Sequence, residues 1–364
     1  MKPRSAPAGS AFAAARSAVS QALGSVCTCA VLHVRLDGRV AFEEGFGKQT
    51  PRGPNAAGDS LFDLASITKL FTATALLALF DRRRVALDDP IVGVLPEFGG
   101  PDVRRSDVTF RHLLTHTSGL PAHVNFRDEV GSQAVIARVC ATPLSASPGS
   151  AVTYSDLGFM LAGALVERLA GASLDRALRE LVLEPLGLDD TNFRPDSPAL
   201  ARAVCTERDK WRKRLLIGEV HDENAWAMGG VAGHAGLFGT AADVADLAEM
   251  YRTSGTLELR HVLMRPTANA ATRLQAAVGE ERRGLGWALR SEQSSCGEFF
   301  SANAFGHTGY TGTSVWVDPE RALTVVLLTN RVYCSRDPEP IRQLRIAVHD
   351  AVISDTRQLL IPVA

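Results

Sequence analysis

The chain of 364 residues has almost no net charge and no long apolar run. Its formal net charge is −1, and its short basic runs at 82–84 and 210–214 are typical of solvated ends. A nucleic acid or an anionic membrane surface attracts a strongly basic face, so we expect neither as a partner. No window approaches the roughly 20 apolar residues that cross a bilayer, so no membrane-spanning helix is expected. The oligomeric state is left open.

Cysteine is also scarce, and its six copies are scattered without a Cys-x-x-Cys pair. This spacing predicts free, mostly buried thiols in a reducing compartment rather than a disulfide framework. Polar residues interrupt the segment 11–26, which is typical of an amphipathic helix and not of a signal peptide. We therefore expect a cytoplasmic protein. The cysteines are Cys27, Cys29, Cys140, Cys205, Cys296 and Cys334.

Strand patterns occupy both ends of the chain and helical patterns occupy its middle. Strands are predicted at 29–34, 40–42, 313–317 and 323–328, and helices at 12–23, 108–114, 134–141, 157–169, 174–182, 241–251 and 341–353. Segments 210–224 and 265–283 fit neither period and are expected to be loops. The pattern indicates an α/β (α+β) fold in which one antiparallel sheet is built from both termini and flanked by helices. The predicted sheet domain is 1–90 plus 285–364. The predicted inserted domain, 91–284, is mainly helical, with the active site between the two.

The first chemical motif is Ser66-Ile67-Thr68-Lys69, followed by an apolar run at 70–80. A helix that is apolar on every face is a buried helix, so Ser66 is expected to open the central helix. Residues three apart share a helix face, which places the Lys69 amine beside the Ser66 hydroxyl. Free N–H groups in the first turn favour an oxyanion there. Taken alone, the motif fits an ordinary helix start with a solvated lysine equally well.

The second motif is Tyr154-Ser155-Asp156, which ends a turn-rich segment and leads into a helix. Ser155 or Asp156 is a suitable N-cap, with Tyr154 just outside the helix. Beside a cationic amine, the phenol of Tyr154 is placed to accept the serine proton. A tyrosine that only packs at a helix start explains the same residues.

The third motif is His307-Thr308-Gly309-Tyr310, which leads into the C-terminal hairpin. Glycine in a strand often marks the close approach of a backbone to a ligand. The backbone N–H of Tyr310 is then a second oxyanion donor, and His307 and Thr308 are placed to contact a substrate carboxylate or leaving group. A glycine-rich strand entry with a structural histidine is the plainer interpretation.

In this order the three motifs resemble the serine β-lactamase and penicillin-binding-protein superfamily. The resemblance is closest to the branch that holds class C β-lactamases, D,D-carboxypeptidases and family VIII-type esterases. Segment 109–121 resembles the stretch that this branch carries between its first two motifs. Segments 221–225 and 229–238 resemble a subgroup associated with cell-wall turnover.

The resemblance implies a serine hydrolase that cleaves a small ester, amide or peptide through a Ser66 acyl-enzyme, without a cofactor. Lys69 would keep the local field positive and help move the proton, and Tyr154 would be the general base for acylation and would activate water for deacylation. The backbone amides of Ser66 and Tyr310 would form the oxyanion hole. Asp156 would replace the asparagine that contacts the substrate amide. The residues expected to bind substrate are therefore Asp156, His307, Thr308, Gly309 and Tyr310.

Two residues depart from the family pattern. His307 stands where the family has a lysine that binds carboxylates, and a histidine carries that charge only in part near neutral pH. Asp156 only accepts hydrogen bonds when ionised, whereas asparagine also donates them. Both changes argue against efficient β-lactam hydrolysis and are compatible with an esterase or peptidase. The alternatives left open are a β-lactamase, an acyltransferase on the same site and a non-catalytic binding protein on the same scaffold.

The histidines raise a further alternative, a catalytic metal. The sequence has no Cys/His ligand cluster and no helical His-x-x-x-His face that includes a carboxylate, so we expect no metal. The histidines considered are His112, His116, His221, His234 and His307.

Overall fold

A large antiparallel sheet dominates the computed structural model, which describes residues 12–360. The strands are β1 Cys29–Leu36, β2 Arg39–Gly47, β3 Phe62–Asp63, β4 Asn192–Phe193, β5 Cys205–Asp209, β6 Arg214–Ile217, β7 Leu237–Gly239, β8 Thr256–Leu257, β9 Arg260–His261, β10 Ala276–Val278, β11 Glu281–Arg283, β12 Ala288–Leu289, β13 Phe305–Thr308, β14 Ser314–Asp318 and β15 Leu323–Thr329. The helices are α1 Ala13–Ala22, α2 Thr68–Asp81, α3 Phe110–Leu114, α4 Ser132–Ala141, α5 Asp156–Ala170, α6 Leu174–Leu178, α7 Glu184–Leu186, α8 Ser197–Leu200, α9 Glu223–Ala227, α10 Ala241–Arg252, α11 Arg265–Ala271 and α12 Pro338–Leu360.

The eight strands of this sheet lie in the order β10-β11-β12-β13-β14-β15-β1-β2. Antiparallel pairing of β1 with β15, from Ala30 opposite Thr329 to Leu36 opposite Leu323, joins the two ends of the described chain. The β1–β2 hairpin turns at Asp37 and Gly38, whose φ values of 50° and 74° suit a tight hairpin. The predicted antiparallel sheet built from both ends is therefore confirmed.

Both faces of the sheet are covered, because alternate side chains enter two separate cores. Val326 and Leu328 of β15 enter the larger core, which contains most of α2, α5 and α10. Val325 and Leu327, from the same strand, enter a smaller core with residues of α1 and α12. A strand that is buried on both faces carries an unbroken apolar run, and β15 is fully buried along its length.

The two segments expected to be loops contain regular structure, so that expectation is wrong. The first contains β6 and the start of α9; the second contains α11, β10 and β11. These elements are short and partly exposed, and β11 consists of Glu281, Arg282 and Arg283. The strands pair in short local hairpins, β6 with β5 and β10 with β11, and are too short for an apolar period to mark them in the sequence. The sheet resumes at 276, before the predicted boundary at 285, and the division into two domains stays a prediction.

The prediction of free, mostly buried thiols is confirmed. All six thiols are free, five are buried and Cys334 is exposed. Taken singly, no helix within 12–360 has the length and apolar character to cross a membrane, although Asp156–Ala170 and Leu174–Leu186, bent by 77°, pass that test as a pair.

Two glycines let α5 approach the segment before β7 closely. A Cβ on Gly233 would lie 2.2 Å from the Phe159 carbonyl oxygen, and one on Gly163 would lie 3.0 Å from the Gly233 backbone. This approach presents two backbone carbonyls to α2. The Thr72 hydroxyl donates to Gly233 O at 2.8 Å, and the Lys69 ammonium donates to His234 O at 3.0 Å.

Replacing Gly233 should therefore destabilise the protein. We expect Gly233→Ala to lower the free energy of unfolding by roughly 1–3 kcal/mol, the usual cost of overpacking a core. Gly93→Ala is the matched control, because a Cβ there meets nothing within 4 Å. Urea unfolding of both variants is the measurement, and equal stabilities for the two would contradict the close approach.

Candidate active site

Ser66 lies at a sharp bend between β3 and α2. It occupies a 3₁₀ turn, Ala65–Ile67, and the α-helix begins at Thr68, so Ser66 precedes the helix that it was expected to open. Ala65 has a left-handed φ of 47°, and its N–H donates to the buried Asp63 carboxylate at 2.8 Å. A side-chain acceptor that fixes an unfavourable backbone conformation is common next to reactive groups.

Lys69 is fully buried, and its ammonium has three acceptors, one for each N–H. Nζ donates to Ser66 Oγ at 2.9 Å, to Asp156 Oδ1 at 2.8 Å and to His234 O at 3.0 Å. Burial would lower the pKa of Lys69, but the Asp156 carboxylate outweighs burial and raises the pKa. An ammonium whose N–H groups are all in use cannot take the Ser66 proton. The predicted contact between Lys69 and Ser66 is confirmed.

Tyr154 lies between two cations. Lys69 Nζ lies 4.9 Å and Arg283 Cζ lies 5.6 Å from the centroid of its ring. Two cationic groups therefore contact the ring of this one phenol. The ring also contacts two histidines, with centroids at 4.5 Å from His116 and 6.0 Å from His307. This environment suits a proton acceptor, although the role of Tyr154 stays a prediction.

Asp156 binds Lys69 rather than facing a substrate alone. It is the first residue of α5, while Ser155 is the N-cap and accepts the Gly158 N–H at 3.2 Å. Burial would raise the pKa of Asp156, but the Lys69 charge lowers it well below the usual range. The other carboxylate oxygen lies 3.6 Å from His123 Nδ1, and the interaction with the Asp156 carboxylate raises the pKa of His123. His123 also lines the cavity, although no sequence pattern had pointed to it.

The expectation that His307 supplies part of a positive charge is wrong. Its side chain is only 3% exposed, and burial, followed by the charges of Lys69 and Arg283, lowers its pKa to about 3. The imidazole is therefore neutral at working pH. Nδ1–H donates to the Thr308 carbonyl at 2.9 Å, which leaves Nε2 as an acceptor. At this position the structure provides an acceptor rather than a cation.

The turn 309–313 is tied directly to the chain before Ser66. The Thr311 hydroxyl donates to Asp63 O at 2.8 Å, and the Thr313 hydroxyl donates to Leu64 O at 3.1 Å. Within the described chain, the backbone N–H of Tyr310 has no protein acceptor. The two expected oxyanion donors, the N–H groups of Ser66 and Tyr310, therefore lie on segments that are bonded to each other.

The segment 221–224 forms another wall of the site. The His221 N–H donates to Asp63 Oδ2 at 2.7 Å, and its ring nitrogen Nε2 lies 2.6 Å from Glu207. Asp222 caps α9 and pairs with His234 Nε2 at 2.9 Å. Asn224 Oδ1 accepts the Phe126 N–H at 2.7 Å. These contacts hold the backbone that presents the His234 carbonyl to Lys69.

The open side of Ser66 is a cavity of about 820 Å³. It is lined by all of the predicted site residues except Lys69, which lies buried beneath it, and by several arginines that the sequence did not single out. Within 12–360, no group of three or more His, Cys, Asp or Glu side chains could hold a metal ion. The lining arginines are Arg282, Arg283, Arg331, Arg336, Arg342 and Arg345.

Comparison with known proteins gives matches over most of the chain. A model of the family described as Beta-lactamase matches residues 15–349, a range that contains all three motifs. An Escherichia coli (strain K12) protein with the provisional name D-alanyl-D-alanine carboxypeptidase is 32% identical over 306 residues, which cover 76% of this chain and 70% of that protein. A Bacillus subtilis (strain 168) protein named N-acetylmuramyl-L-alanine amidase is 32% identical over 349 residues, which cover 85% and 79%. The structure of a penicillin-binding protein homologue from Caulobacter crescentus aligns with a TM-score of 0.73 at 25% identity, covering 93% of this chain and 97% of that one.

Removing the Ser66 hydroxyl should abolish turnover while the fold survives. We expect Ser66→Ala to lose at least about a thousandfold in kcat on p-nitrophenyl acetate, as loss of a nucleophile does elsewhere. Ser20→Ala, at an exposed serine of α1, is the control. Near wild-type turnover by Ser66→Ala, or a covalent inhibitor found on another residue by peptide mapping, would remove Ser66 from the mechanism.

Removing the Tyr154 hydroxyl should act mainly on kcat. General-base catalysis typically contributes on the order of a hundredfold or more, and Tyr154→Phe should lose about that much. Tyr333→Phe, at a half-buried tyrosine outside the cavity, controls for loss of a phenol. Steady-state kinetics on p-nitrophenyl acetate provide the comparison, and an unchanged kcat for Tyr154→Phe would direct attention to another base.

Proposed function

Because the chain belongs to the β-lactamase family and is a serine hydrolase, we propose that Ser66 forms an acyl-enzyme with an ester or amide that water then hydrolyses. The family resemblance seen in the three motifs is confirmed by the match over residues 15–349. Because the chain is a serine hydrolase, the alternative of a non-catalytic binding protein is excluded. The roles of single residues are part of the proposal.

The observation that carries the proposal is the contact of the Lys69 ammonium with Ser66 Oγ at 2.9 Å. Lys69 donates to this oxygen, so the Ser66 hydroxyl proton is directed to some other acceptor. Tyr154 is the candidate, because its ring lies 4.9 Å from Lys69 Nζ and lines the same cavity as Ser66. A serine needs such neighbours because its hydroxyl is a weak nucleophile.

The proposed reaction has two steps with the same groups. Tyr154 accepts the Ser66 proton while Oγ bonds to the substrate carbonyl carbon, and the oxyanion faces the N–H groups of Ser66 and Tyr310. Collapse of this intermediate expels the alcohol or amine, which takes the proton from Tyr154. Water then gives a proton to Tyr154 and attacks the ester, and Ser66 regains its proton when the acid leaves.

We further propose that the substrate carries a carboxylate, which Arg283 binds in place of the neutral His307. The Arg283 side chain is 11% exposed and faces the cavity next to Tyr154. Its Nη2 binds Glu281 at 2.8 Å, but its Nε has no partner among residues 12–360. A guanidinium stays charged at every working pH and can bind a carboxylate through two N–H groups.

The relatives' names support a cell-wall peptide as this substrate. A D-alanyl-D-alanine carboxypeptidase acts on a peptide that ends in a free carboxylate, and an N-acetylmuramyl-L-alanine amidase acts on another cell-wall amide. A small peptide amide is accordingly the proposed partner. The expected cytoplasmic location is part of the same proposal and is tested by fractionation of expressing cells. In the cytoplasm, the enzyme would act on fragments released from the cell wall rather than on the wall itself.

The ratio of two activities tests the proposed substrate class. We expect Arg283→Met to lower kcat/KM by roughly tenfold to a hundredfold for a D-Ala-D-Ala peptide and for nitrocefin, as loss of a charged hydrogen bond does. Neutral p-nitrophenyl acetate should lose much less. Arg273→Met, at an exposed arginine outside the cavity, controls for net charge.

The pH dependence separates Arg283 from His307. With Arg283 as the anchor, the peptide-to-acetate ratio of kcat/KM should be flat between about pH 5.5 and 8 in a His123→Gln background, because neither Arg283 nor His307 changes charge there and the cavity-lining His123, whose pKa is raised, has been removed. A ratio that rises as the pH falls through about 6.5 would indicate that a titrating histidine such as His307, and not Arg283, binds the substrate carboxylate. Equal losses for both substrate classes in Arg283→Met would reject the carboxylate anchor while leaving the acyl-enzyme intact.

A further inference from the structure

Two buried arginines from outside the three motifs hold the turn 309–313. Arg345, on α12, donates from Nη2 to Gly309 O at 2.9 Å and to Thr313 O at 2.8 Å. Arg331, just after β15, donates from Nε to Tyr310 O at 2.7 Å. Their side chains are more than nine-tenths buried, with residue exposures of 7% and 3%. The turn that carries the second oxyanion donor is therefore fixed by two guanidinium groups.

The two arginines act on different peptide groups. The Gly309 carbonyl and the Tyr310 N–H belong to the same planar peptide, in which resonance links the oxygen and the nitrogen. A cation bonded to the oxygen draws electron density from the nitrogen and makes its N–H a stronger donor. Arg345 therefore acts on the N–H that faces the oxyanion, whereas Arg331 binds the carbonyl of the following peptide.

The charge of Arg345 is not neutralised by an ion pair. Among residues 12–360, no carboxylate forms an ion pair with its guanidinium, the one charge acting on it is that of Arg331, and its Nε is buried without a partner. Burial, and then the nearby Arg331, lower the pKa of Arg345 to about 9, so it remains a cation at neutral pH. In a site of low dielectric, an uncompensated cation exerts a strong field on the dipoles that it touches.

We propose that Arg345 is a positioning residue for the reaction, because it fixes and polarises the Gly309–Tyr310 peptide so that the Tyr310 N–H donates strongly to the oxyanion. This inference rests on the proposed Ser66 acyl-enzyme. The plainer alternative is that Arg345 only holds the turn, as Arg331 does. The two interpretations make different demands on residue 345. Polarising the peptide stabilises the transition state and requires a positive charge. Holding the turn stabilises the fold and requires only a hydrogen-bond donor.

The experiment compares Arg345→Lys, Arg345→Met and Arg331→Met with the wild type. The substrate is p-nitrophenyl acetate, which has no carboxylate for the lining arginines to bind. The inhibitor is phenylboronic acid, whose tetrahedral adduct with Ser66 places an oxygen in the oxyanion hole. Because a transition-state analogue binds in proportion to transition-state stabilisation, its Ki reports the strength of the hole directly.

Arg345→Met should lower kcat by roughly tenfold to a hundredfold, less than the loss of a whole oxyanion donor. It should raise the Ki of phenylboronic acid by a similar factor and leave KM nearly unchanged. Arg345→Lys keeps the charge and should retain most of the affinity. Arg331→Met should lower Tm comparably but raise Ki much less. Should Arg345→Met not fold, Arg345→Gln, a neutral donor, replaces it against Arg345→Lys.

Two results would overturn the role of Arg345. One is a Ki that rises equally in Arg345→Met and Arg331→Met at matched loss of Tm. The other is an Arg345→Lys variant whose Ki for phenylboronic acid is as high as that of the neutral variant, Arg345→Met or Arg345→Gln. Labelling by a fluorophosphonate separates this inference from its premise. A wild type not labelled on Ser66 rejects the acyl-enzyme itself, whereas normal labelling with equal Ki values in all variants rejects only the polarisation by Arg345.

Discussion

The site depends on one buried cation, the Lys69 ammonium, and on the three acceptors that surround it. Lys69 lies in a helix that is buried on every side, where an unpaired charge would cost several kcal/mol. The compensation comes from Asp156 at the start of α5 and from the His234 carbonyl before β7. The same three hydrogen bonds therefore connect Ser66, α5 and the loop before β7 through the Lys69 ammonium. Loss of either acceptor would leave a buried charge uncompensated, which links the stability of the helical region to the geometry of the nucleophile.

The site combines cations that keep their charge with buried histidines that are neutral. Lys69, Arg283 and Arg345 remain charged, while burial and the neighbouring cations lower the pKa of His116 and His307. Lys69 and Arg283, whose cationic groups lie near the Tyr154 ring, therefore keep their charge near neutral pH, while His116 and His307 beside the same ring stay neutral. Two threonine hydroxyls then bond the turn 309–313 to residues 63–64, so the two expected oxyanion donors keep a fixed separation. A field and a hole that exist before substrate binds need no reorganisation during the reaction, which is the source of most electrostatic catalysis.

The sequence was informative where local chemistry decides the structure. The apolar run after Ser66 predicted a buried helix and placed Lys69 beside the hydroxyl, and alternation at both ends predicted the antiparallel sheet. The partners that come from distant segments were not predictable. Asp156 lines the cavity and also binds Lys69 from a distant segment, which the sequence did not indicate, and burial lowers the pKa of His307, which was expected to titrate near neutral pH. Arg283 lies on a short, charged strand without an apolar period, and Arg345 lies on a long helix where any arginine looks solvated. Only tertiary packing shows that these charges converge.

The proposed mechanism requires a protonated Lys69, because a neutral lysine would itself act as the base and would leave no role for Tyr154. The chain has only five lysines, so the Nζ and Cε resonances of Lys69 can be assigned by comparison with a Lys69→Arg variant. The direct measurement is a pH titration of these resonances by NMR, with exposed Lys48 as the internal reference. We expect Lys69 to keep its proton beyond the pH of about 10.4 at which an unperturbed lysine titrates. A Lys69 midpoint near or below about pH 8, as for desolvated catalytic lysines, would contradict it.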